Sequence, residues 1–215
     1  MIKILIADDH AIVRSGLKQL LSGESDFTVA GEAANGLEAL KQIREQPLDV
    51  VLMDMSMPGR SGIELIKQVK AEKPKLAILV LSMHKEEQYA VRALKAGALG
   101  YLTKESAPDQ LVAAIRKVAG GGVFISSGVA ERLALELGGN HDAAPHTLLS
   151  DREYQIFRMI VSGATISNIA GELSLSVKTV STHKTRLLQK MKMTSSAELI
   201  HYAIRHQLVE MPGSS

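Results

Sequence analysis

A short apolar segment that ends in a carboxylate is the feature that most constrains the fold of this chain. Residues 49–53 read Asp-Val-Val-Leu-Met, a β-branched, apolar run that is typical of a strand buried on both faces. Asp54 follows this run directly, and the turn signal Pro58-Gly59 comes soon after it. In an open parallel sheet, ligands bind at the carboxyl ends of the strands. We therefore expect Asp54 to lie at the functional edge of a parallel sheet.

Strand-like and helical segments alternate over residues 1–121. Four further apolar runs have the pattern of strands, at residues 2–7, 27–33, 76–81 and 98–102. Each is followed by a segment with helical periodicity, and in the second of these helices we expect a core-facing side formed by Leu37, Leu40 and Ile43. Parallel strands need helical crossovers. The pattern therefore predicts an α/β fold with a doubly wound, five-stranded parallel sheet of the flavodoxin-like type.

Polar residues stand at the ends of four of the predicted strands. Asp8 and Asp9 follow the first strand and Asp54 the third. Ser82 ends the fourth strand and Lys104 follows the fifth. Because the carboxyl ends of parallel strands lie on one edge, we expect these side chains to converge in one crevice. Three carboxylates repel each other unless a cation lies between them, and an all-oxygen ligand set favours Mg²⁺ over Zn²⁺.

The same crevice has the groups that phosphoryl transfer requires. Asp54 can be the nucleophile, the Lys104 ammonium can neutralise a phosphoryl oxygen, and Ser82 can donate a hydrogen bond to another. A lone Asp after a strand is more often a turn or cap residue. The prediction therefore depends on the whole set of residues at matching strand ends.

Three residues with aromatic rings also lie near these strand ends in the sequence. We expect His10 and His84 at the rim of the crevice rather than among metal ligands. Tyr101 lies on the fifth strand and is either an ordinary core residue or a side chain that moves when Ser82 moves.

From residue 148 onward the pattern becomes helical. Ser150-Asp151-Arg152-Glu153 has the form of a capping box, and further helical stretches follow at 165–173, at 176–191 and from 195. In the last of these, we expect the inward side to comprise Leu199, Ala203 and Ile204. A helix, a tight turn and a cation-bearing helix are the pattern of a helix-turn-helix motif.

The chain thus divides into four parts. We assign residues 1–121 to an α/β domain, 122–147 to a linker that includes one stretch suited to a short helix, 148–210 to a small all-α domain, and 211–215 to a disordered tail. Net charge over the 215 residues is only +2, so the local distribution of charge is more informative than the total.

The helix predicted at 176–191 is the strongest candidate for a nucleic-acid interface. Ser176–Lys192 holds five basic residues and no acidic one. The side that can face the core comprises Val177, Val180, Leu187, Leu188 and Met191. The mainly outward side comprises Ser181, Thr182, Lys184, Thr185 and Arg186. Such cations neutralise phosphates and such hydroxyls contact base edges, although a solvated basic face is the alternative.

Composition argues against several other classes of protein. The absence of Cys excludes disulfides and thiolate metal sites, and it fits a cytoplasmic protein. No window resembles a membrane span, and the N-terminus lacks the pattern of a signal peptide. We expect a cytoplasmic protein that does not contact a membrane.

The first part of the chain resembles a known family. Asp8-Asp9, the segment 51–62, Ser82 and the segment 97–104 are similar to the receiver domain of two-component response regulators, over residues 1–121. The resemblance implies that Asp54 accepts a phosphoryl group from a histidine kinase. It further implies a magnesium site formed by Asp9, Asp54 and the backbone carbonyl of Ser56, with a more indirect role for Asp8.

The resemblance also assigns roles at the last two strands. Ser82 and Tyr101 match the family's switch pair, and Lys104 matches its phosphate-contacting lysine. Glu105 departs from the family, in which a proline often follows that lysine. Because of this departure, the loop conformation cannot be transferred from the family, but the assignment of the site residues is unaffected.

Residues 148–209 resemble the LuxR-type helix-turn-helix, and the two parts together resemble a response regulator of the NarL/FixJ class. The resemblance implies base contacts by Ser181, Thr182 and Thr185. It implies contacts to the DNA backbone by Lys178, Thr179, Lys184 and Arg186, and a dimerisation surface that includes Leu199 and Ala203. Ser181 stands where the family often has Lys, so the operator sequence cannot be transferred from relatives.

These resemblances predict a phosphorylation-dependent transcriptional regulator. We expect it to catalyse only its own phosphorylation and dephosphorylation, and not to be an enzyme for other substrates. Phosphorylation of Asp54 is expected to draw in Ser82 and let Tyr101 turn inward. By resemblance, it then favours homodimers that bind an inverted repeat in double-stranded DNA.

Two other interpretations share part of this pattern. An aspartyl-phosphate phosphatase has similar carboxylates and Mg²⁺ but needs a substrate pocket, whereas the rest of this chain forms a helical module. A DNA-binding protein with a vestigial receiver is the other alternative, and the complete set of site residues argues against it.

Overall fold

A computed structural model describes residues 1–57, 62–83, 87–137, 144–206 and 208. The chain forms two compact units, Met1–Gly138 and Gly139–Ser215. The predicted disordered tail at 211–215, His84, the turn signal Pro58-Gly59 and residues 138–143 of the predicted linker lie outside the described residues.

The first unit is built on a five-stranded, all-parallel sheet, as predicted. Its strands are β1 (Ile2–Ala7), β2 (Phe27–Ala33), β3 (Val50–Asp54), β4 (Ala77–Ser82) and β5 (Gly100–Thr103). The order in the sheet is β2-β1-β3-β4-β5, so β1 and β3 lie side by side at its centre. Their residues alternate between two covered faces, and Ile4, Leu5 and Ile6 are all fully buried. Burial on both faces explains the continuous apolar runs in the sequence.

Helices follow every strand of the sheet. They are α1 (Ala11–Ser22), α2 (Gly36–Glu45), α3 (Gly62–Glu72), α4 (Glu87–Lys95) and α5 (Pro108–Ala119). A sixth helix, α6 (Ser127–Leu137), lies within the predicted linker but packs against α4 of the same unit. No helix in the described part of the chain is both long and apolar enough to cross a membrane.

One of the three residues predicted to face the core from α2 does not do so. Leu40 and Ile43 are buried as expected, but Leu37 is 71% exposed. Leu37 is the second residue of the helix, next to the cap formed by Asn35, whose side chain accepts from the Glu38 amide. The buried side of α2 is completed instead by Ala39.

The chain that follows α5 returns to the sheet. The Tyr101 amide donates to the Phe124 carbonyl (3.1 Å), and the Phe124 amide donates to the Leu99 carbonyl (2.9 Å). Gly100 permits this approach, because a Cβ there would lie 2.6 Å from Cδ1 of Leu79 and 3.1 Å from the Phe124 carbonyl oxygen. The segment leading to α6 is therefore hydrogen-bonded to the strand that carries Tyr101.

The second unit is all helical. A 3-10 helix (Pro145–Leu148) precedes α7 (Asp151–Val161), α8 (Ile166–Glu172), α9 (Val177–Met191) and α10 (Ser196–Arg205). Val180, Leu187 and Met191 are buried as predicted, and Leu188 is half-buried. Two further inward assignments are wrong, because Val177 is 51% exposed and Ile204 is 40% exposed. Val177 is the first residue of α9, and Ile204 lies in the last turn of α10. Both lie in terminal turns, where the helix extends beyond the neighbouring elements that bury its central turns.

The predicted capping box is present at the start of α7. The Glu153 amide donates to Oγ of Ser150 (3.3 Å), and the Ser150 amide donates to Oε2 of Glu153 (2.8 Å). The same Oε2 accepts from Nζ of Lys190 on α9 at 2.6 Å. Burial alone would raise the pKa of Glu153, but the Lys190 ammonium and the Ser150 donors hold it below its ordinary value.

This lowered pKa predicts a loss of stability in acid. A carboxylate whose pKa is lower in the folded than in the unfolded chain stabilises the fold above the unfolded pKa, and this contribution disappears as the pH falls through the folded pKa. We expect Glu153→Gln to destabilise α7 by about 1–2 kcal/mol at pH 7 and to weaken its pH dependence below the ordinary carboxyl pKa of 4.5. Urea unfolding followed through α7 amide NMR signals from pH 3 to pH 7 measures both effects. The control is Glu198→Gln, which alters the exposed cap at Thr194 and is expected to leave α7 nearly unchanged.

Candidate functional site

The predicted polar residues converge at the carboxyl edge of the sheet. β1 ends at Ala7, and the next amide, that of Asp8, donates to the Ala33 carbonyl at the end of β2 (3.0 Å). β3 ends at Asp54 itself, β4 at Ser82. Asp8, Asp54 and Ser82 are all buried, with Asp54 only 1% exposed. The parallel register thus brings distant parts of the sequence into one crevice.

Lys104 joins two of the carboxylates. Its Nζ lies 2.6 Å from Oδ2 of Asp8 and 3.1 Å from Oδ2 of Asp54. The Lys104 amide donates to the Ser82 carbonyl (2.8 Å), which holds this residue beside the end of β4. Burial alone would lower the pKa of Lys104, but the Asp8 and Asp54 carboxylates raise it above its ordinary value. Lys104 therefore stays positively charged inside the crevice.

The buried carboxylate of Asp54 is held in an unfavourable environment for a negative charge. Burial raises the pKa of Asp54, Lys104 opposes this shift, and the neighbouring Asp8 adds to it. The Ser56 amide donates to Oδ1 of Asp54 (3.3 Å), so the loop after β3 folds back over the acidic group. The role of the Ser56 carbonyl as a metal ligand stays a prediction.

The carboxylates form a site that suits a divalent cation. Single ligand atoms of Asp8, Asp9, Asp54 and His10 all lie within 4.8 Å of one another. Three of these four donors are carboxylates, the ligands that Mg²⁺ prefers. The His10 side chain is 64% exposed, and its Nδ1 lies 2.8 Å from Oδ1 of Asp9. His10 thus lies at the rim as predicted, with its ring close to the carboxylates, and its exclusion from the metal ligands stays a prediction.

Ser82 and Tyr101, the predicted switch pair, are adjacent. Tyr101 is buried, and its side chain is hydrogen-bonded to Ser82. Burial raises the pKa of Tyr101, and the hydrogen bond to Ser82 opposes the shift. The ring thus occupies an inward position in this structure, whereas the sequence led us to expect inward movement only after phosphorylation. Its role as a switch stays a prediction.

One residue near the crevice was missed. Nη1 of Arg14, on α1, donates to the backbone carbonyl of Asp8 (2.7 Å). In the sequence, Arg14 looks like any surface cation on an amphipathic helix, because the contact depends on the tertiary position of a backbone group.

In the second unit, α9 presents the predicted polar side. Lys178, Ser181, Thr182, Thr185 and Arg186 are exposed, while Thr179 and Lys184 are half-buried. Val177 adds an exposed apolar side chain at the N-terminal end of α9, where recognition helices contact bases, and such side chains can contact a thymine methyl group. The sequence pattern had placed Val177 in the core.

The hydroxyl groups on α9 are engaged locally. Oγ1 of Thr182 donates to the Lys178 carbonyl (2.9 Å), and Oγ1 of Thr185 donates to the Ser181 carbonyl (3.1 Å). The Ser176 side chain accepts from the Thr179 amide (3.0 Å) and so caps the helix. The two threonines can therefore still accept hydrogen bonds from bases or contact a thymine through their methyl groups.

The predicted dimerisation residues are not on the surface. Leu199 and Ala203 are both 0% exposed, and α10 packs against α7. Fully buried side chains cannot contact a second protein chain, so this prediction is wrong for these two residues. They instead form the inward side that their helical spacing indicated.

The ion pair between Lys104 and Asp54 predicts that replacing Lys104 changes the pKa of Asp54. We expect the pKa of Asp54 to rise further in Lys104→Met, since the opposite charge 3.1 Å from its carboxylate is removed. Carboxyl ¹³C NMR in metal-free buffer measures this pKa. Lys18→Met is the control, because Lys18 pairs with Glu32 (2.9 Å) and is expected to leave Asp54 unchanged. An Asp54 pKa that is equal in both variants would contradict the role of Lys104.

Known protein families match both units. Residues 4–116 match the response regulator receiver domain, and residues 147–203 match the bacterial regulatory proteins of the luxR family. The chain is 39% identical over 209 residues to the response regulator UvrY of Escherichia coli K12, an alignment that covers 97% of this chain and 96% of UvrY.

Solved structures give the same result. RcsB of Salmonella enterica serovar Typhimurium, bound to the promoter rprA in the presence of the phosphomimetic BeF₃⁻, is 26% identical with a TM-score of 0.68, over 94% of this chain and 97% of RcsB. A structure of two RcsB dimers bound to two parallel DNAs is 28% identical with a TM-score of 0.59, over 94% and 98%. The chain thus belongs to the two-component response regulators of the NarL/FixJ class, transcription regulators that combine a receiver domain with a LuxR-type DNA-binding domain.

Proposed function

We propose that this protein is switched by phosphorylation of Asp54 and, once phosphorylated, dimerises and binds operator DNA. The observation that carries the proposal is the buried Asp54 carboxylate, 3.1 Å from the Lys104 ammonium and adjacent to further carboxylates at a sheet edge. A histidine kinase is the expected phosphodonor. The domains are proposed as a receiver over 1–121, a connecting segment over 122–147 and a DNA-binding domain over 148–210, in a cytoplasmic protein.

The acidic crevice fits a bound Mg²⁺. Asp9, Asp54 and the Ser56 carbonyl would hold the ion directly, with Asp8 in support. When bound, Mg²⁺ would neutralise carboxylate and phosphoryl charge together. The clustering of three carboxylates around one point is the feature of this structure that calls for such a cation.

The chain's own residues account for the remaining parts of the reaction. A carboxylate oxygen of Asp54 forms the new bond to phosphorus, while the bond between phosphorus and the donor's leaving group breaks. Lys104 is already in the crevice and can pair with a phosphoryl oxygen once Asp54 is modified. The Ser82 hydroxyl can then donate a hydrogen bond to another phosphoryl oxygen. These residues would thereby catalyse phosphorylation of the protein itself. Its dephosphorylation would follow by attack of water on phosphorus, with Asp54 leaving as a carboxylate, and we propose no activity on other substrates.

The path of the signal is proposed to run from Ser82 at the end of β4 to Tyr101 on β5. Movement of Ser82 toward a phosphoryl group would change its hydrogen bond with Tyr101. The Tyr101 amide is bonded to Phe124, the segment that leads into α6, and α6 packs on α4. A shift at β5 would therefore alter the segment through which the chain leaves the receiver.

DNA binding is proposed through α9. RcsB is similar to this chain over both units, and it has been solved on promoter DNA with a phosphomimetic and as dimers on DNA. A dimer with two-fold symmetry would favour an inverted repeat. Because Leu199 and Ala203 are buried, the dimer contact would use other residues.

Phosphoryl uptake tests the proposed function directly. We expect wild-type protein to take up phosphate from acetyl phosphate with Mg²⁺ and to form a dimer on sedimentation, and we expect Asp54→Asn to do neither. Asp49→Asn is the matched control, because Asp49 precedes the same strand at its opposite end and accepts from the Lys3 amide (2.8 Å). Full phosphoryl uptake by Asp54→Asn would refute the assignment of the acceptor.

DNA contacts are distinguishable by their salt dependence. We expect Lys178→Ala to weaken binding to all DNA sequences and to reduce the slope of log affinity against log salt by about 1, because one phosphate contact is lost. Thr182→Val should instead change the preference among sequences selected from a random pool, with little change in slope. Lys192→Ala, at the C-terminal cap of α9, is the control and should retain wild-type binding. An unchanged slope in Lys178→Ala would remove this residue from the interface.

A further inference from the structure

Asp8 is held at each of its polar atoms. Its amide donates to the Ala33 carbonyl (3.0 Å), and its Oδ1 accepts from the His10 amide (2.9 Å). Its Oδ2 lies 2.6 Å from Nζ of Lys104. The remaining atom, the backbone carbonyl oxygen, accepts from Nη1 of Arg14 at 2.7 Å. Arg14 is thus the side chain that completes the fixation of Asp8 from outside the crevice.

The Arg14 guanidinium is itself held by a second partner. Its Nε lies 3.4 Å from Oε2 of Glu32 on β2, and the Arg14 side chain is only 18% exposed. The first turn of α1 fixes the backbone of Arg14 through a bond from its amide to the His10 carbonyl (3.1 Å). A planar guanidinium with two partners is constrained in both position and orientation. It therefore holds the Asp8 carbonyl in a defined direction.

The direction of this carbonyl affects the next residue. The peptide unit between Asp8 and Asp9 is planar, so fixing the Asp8 carbonyl also fixes the plane that leads to the Cα of Asp9. The hydrogen bond from Arg14 on α1 therefore helps to position both carboxylates that follow β1. We propose that Arg14 is a positioning residue for phosphoryl transfer, which orients the Asp8–Asp9 peptide and thereby the acidic cluster. This inference rests on the proposed function of the crevice.

Position rather than charge is the expected basis of the effect. The positive charge of Arg14 is compensated by Glu32, which also accepts from Nζ of Lys18 at 2.9 Å. Lys18 and Arg14 are therefore both cations that pair with Glu32. Among the described contacts, however, Lys18 bonds to Glu32 and not to Asp8. Removing the charge of Lys18 reproduces the electrostatic change without releasing the Asp8 carbonyl.

The test compares Arg14→Met, Arg14→Lys and Lys18→Met with the wild-type full chain. The initial rate of phosphoryl uptake from acetyl phosphate is measured over a range of Mg²⁺ concentrations, and thermal unfolding is recorded for each protein. We expect the Mg²⁺ concentration for half-maximal rate to rise about three- to tenfold in Arg14→Met, which corresponds to the loss of one hydrogen bond. Lys18→Met should match the wild type. Arg14→Lys should be intermediate, because one amine cannot serve both acceptors.

The outcomes separate this inference from the function it rests on. If wild-type protein takes up no phosphoryl group, or if Asp54→Asn takes it up normally, the proposed function fails. If the wild type is phosphorylated and Arg14→Met behaves like Lys18→Met, the positioning role of Arg14 is refuted. If Arg14→Met does not fold, Arg14→Lys decides the question, since a wild-type Mg²⁺ requirement in that variant would overturn the proposal.

Discussion

Like charges buried together at a sheet edge are the constraint on which the first unit depends. Asp8 and Asp54 are almost inaccessible to solvent, and burial together with the neighbouring Asp8 raises the pKa of Asp54. Lys104 offsets part of this shift by approaching both. One ammonium does not neutralise the three carboxylates of the cluster, so the site retains a demand for further positive charge and for groups that fix the carboxylates in place. The contacts of Arg14, His10 and the Ser56 amide supply part of that fixation.

This constraint also explains why so much of the site was predictable from the sequence. In a parallel sheet the carboxyl ends of all strands lie on one edge, so residues that end apolar runs must meet there. Asp8, Asp54, Ser82 and Lys104 follow this rule, and the observed strands agree with the predicted ones to within one or two residues. The capping box at Ser150 was also predictable from the sequence, because its two partners are only three residues apart.

The failures have a common physical origin as well. Leu37, Val177 and Ile204 lie in the terminal turns of their helices, where periodicity continues but the covering surface does not. Arg14 and Lys190 escaped notice because long side chains reach groups that only the tertiary fold brings near. Leu199 and Ala203 show a conflict between two kinds of inference. Their helical spacing predicted that they face the core, whereas the family resemblance predicted that they lie on a dimer surface. Both are fully buried, which agrees with the prediction from spacing.

The exit of the chain from the receiver bears on how the two units are coupled. A connecting segment that left α5 freely would transmit little, because its direction would not depend on the sheet. Here Phe124 is hydrogen-bonded to Leu99, the residue before β5, and to Tyr101 within β5. Gly100 lies between these two partners, and a side chain there would block the approach of Phe124. β5 also carries Tyr101, whose side chain bonds to Ser82 at the acidic crevice. The same four-residue strand thus contacts the crevice through a side chain and the outgoing chain through its backbone. This short chain of hydrogen bonds from the crevice to the outgoing segment is the feature that supports the proposed dependence of DNA binding on the state of Asp54.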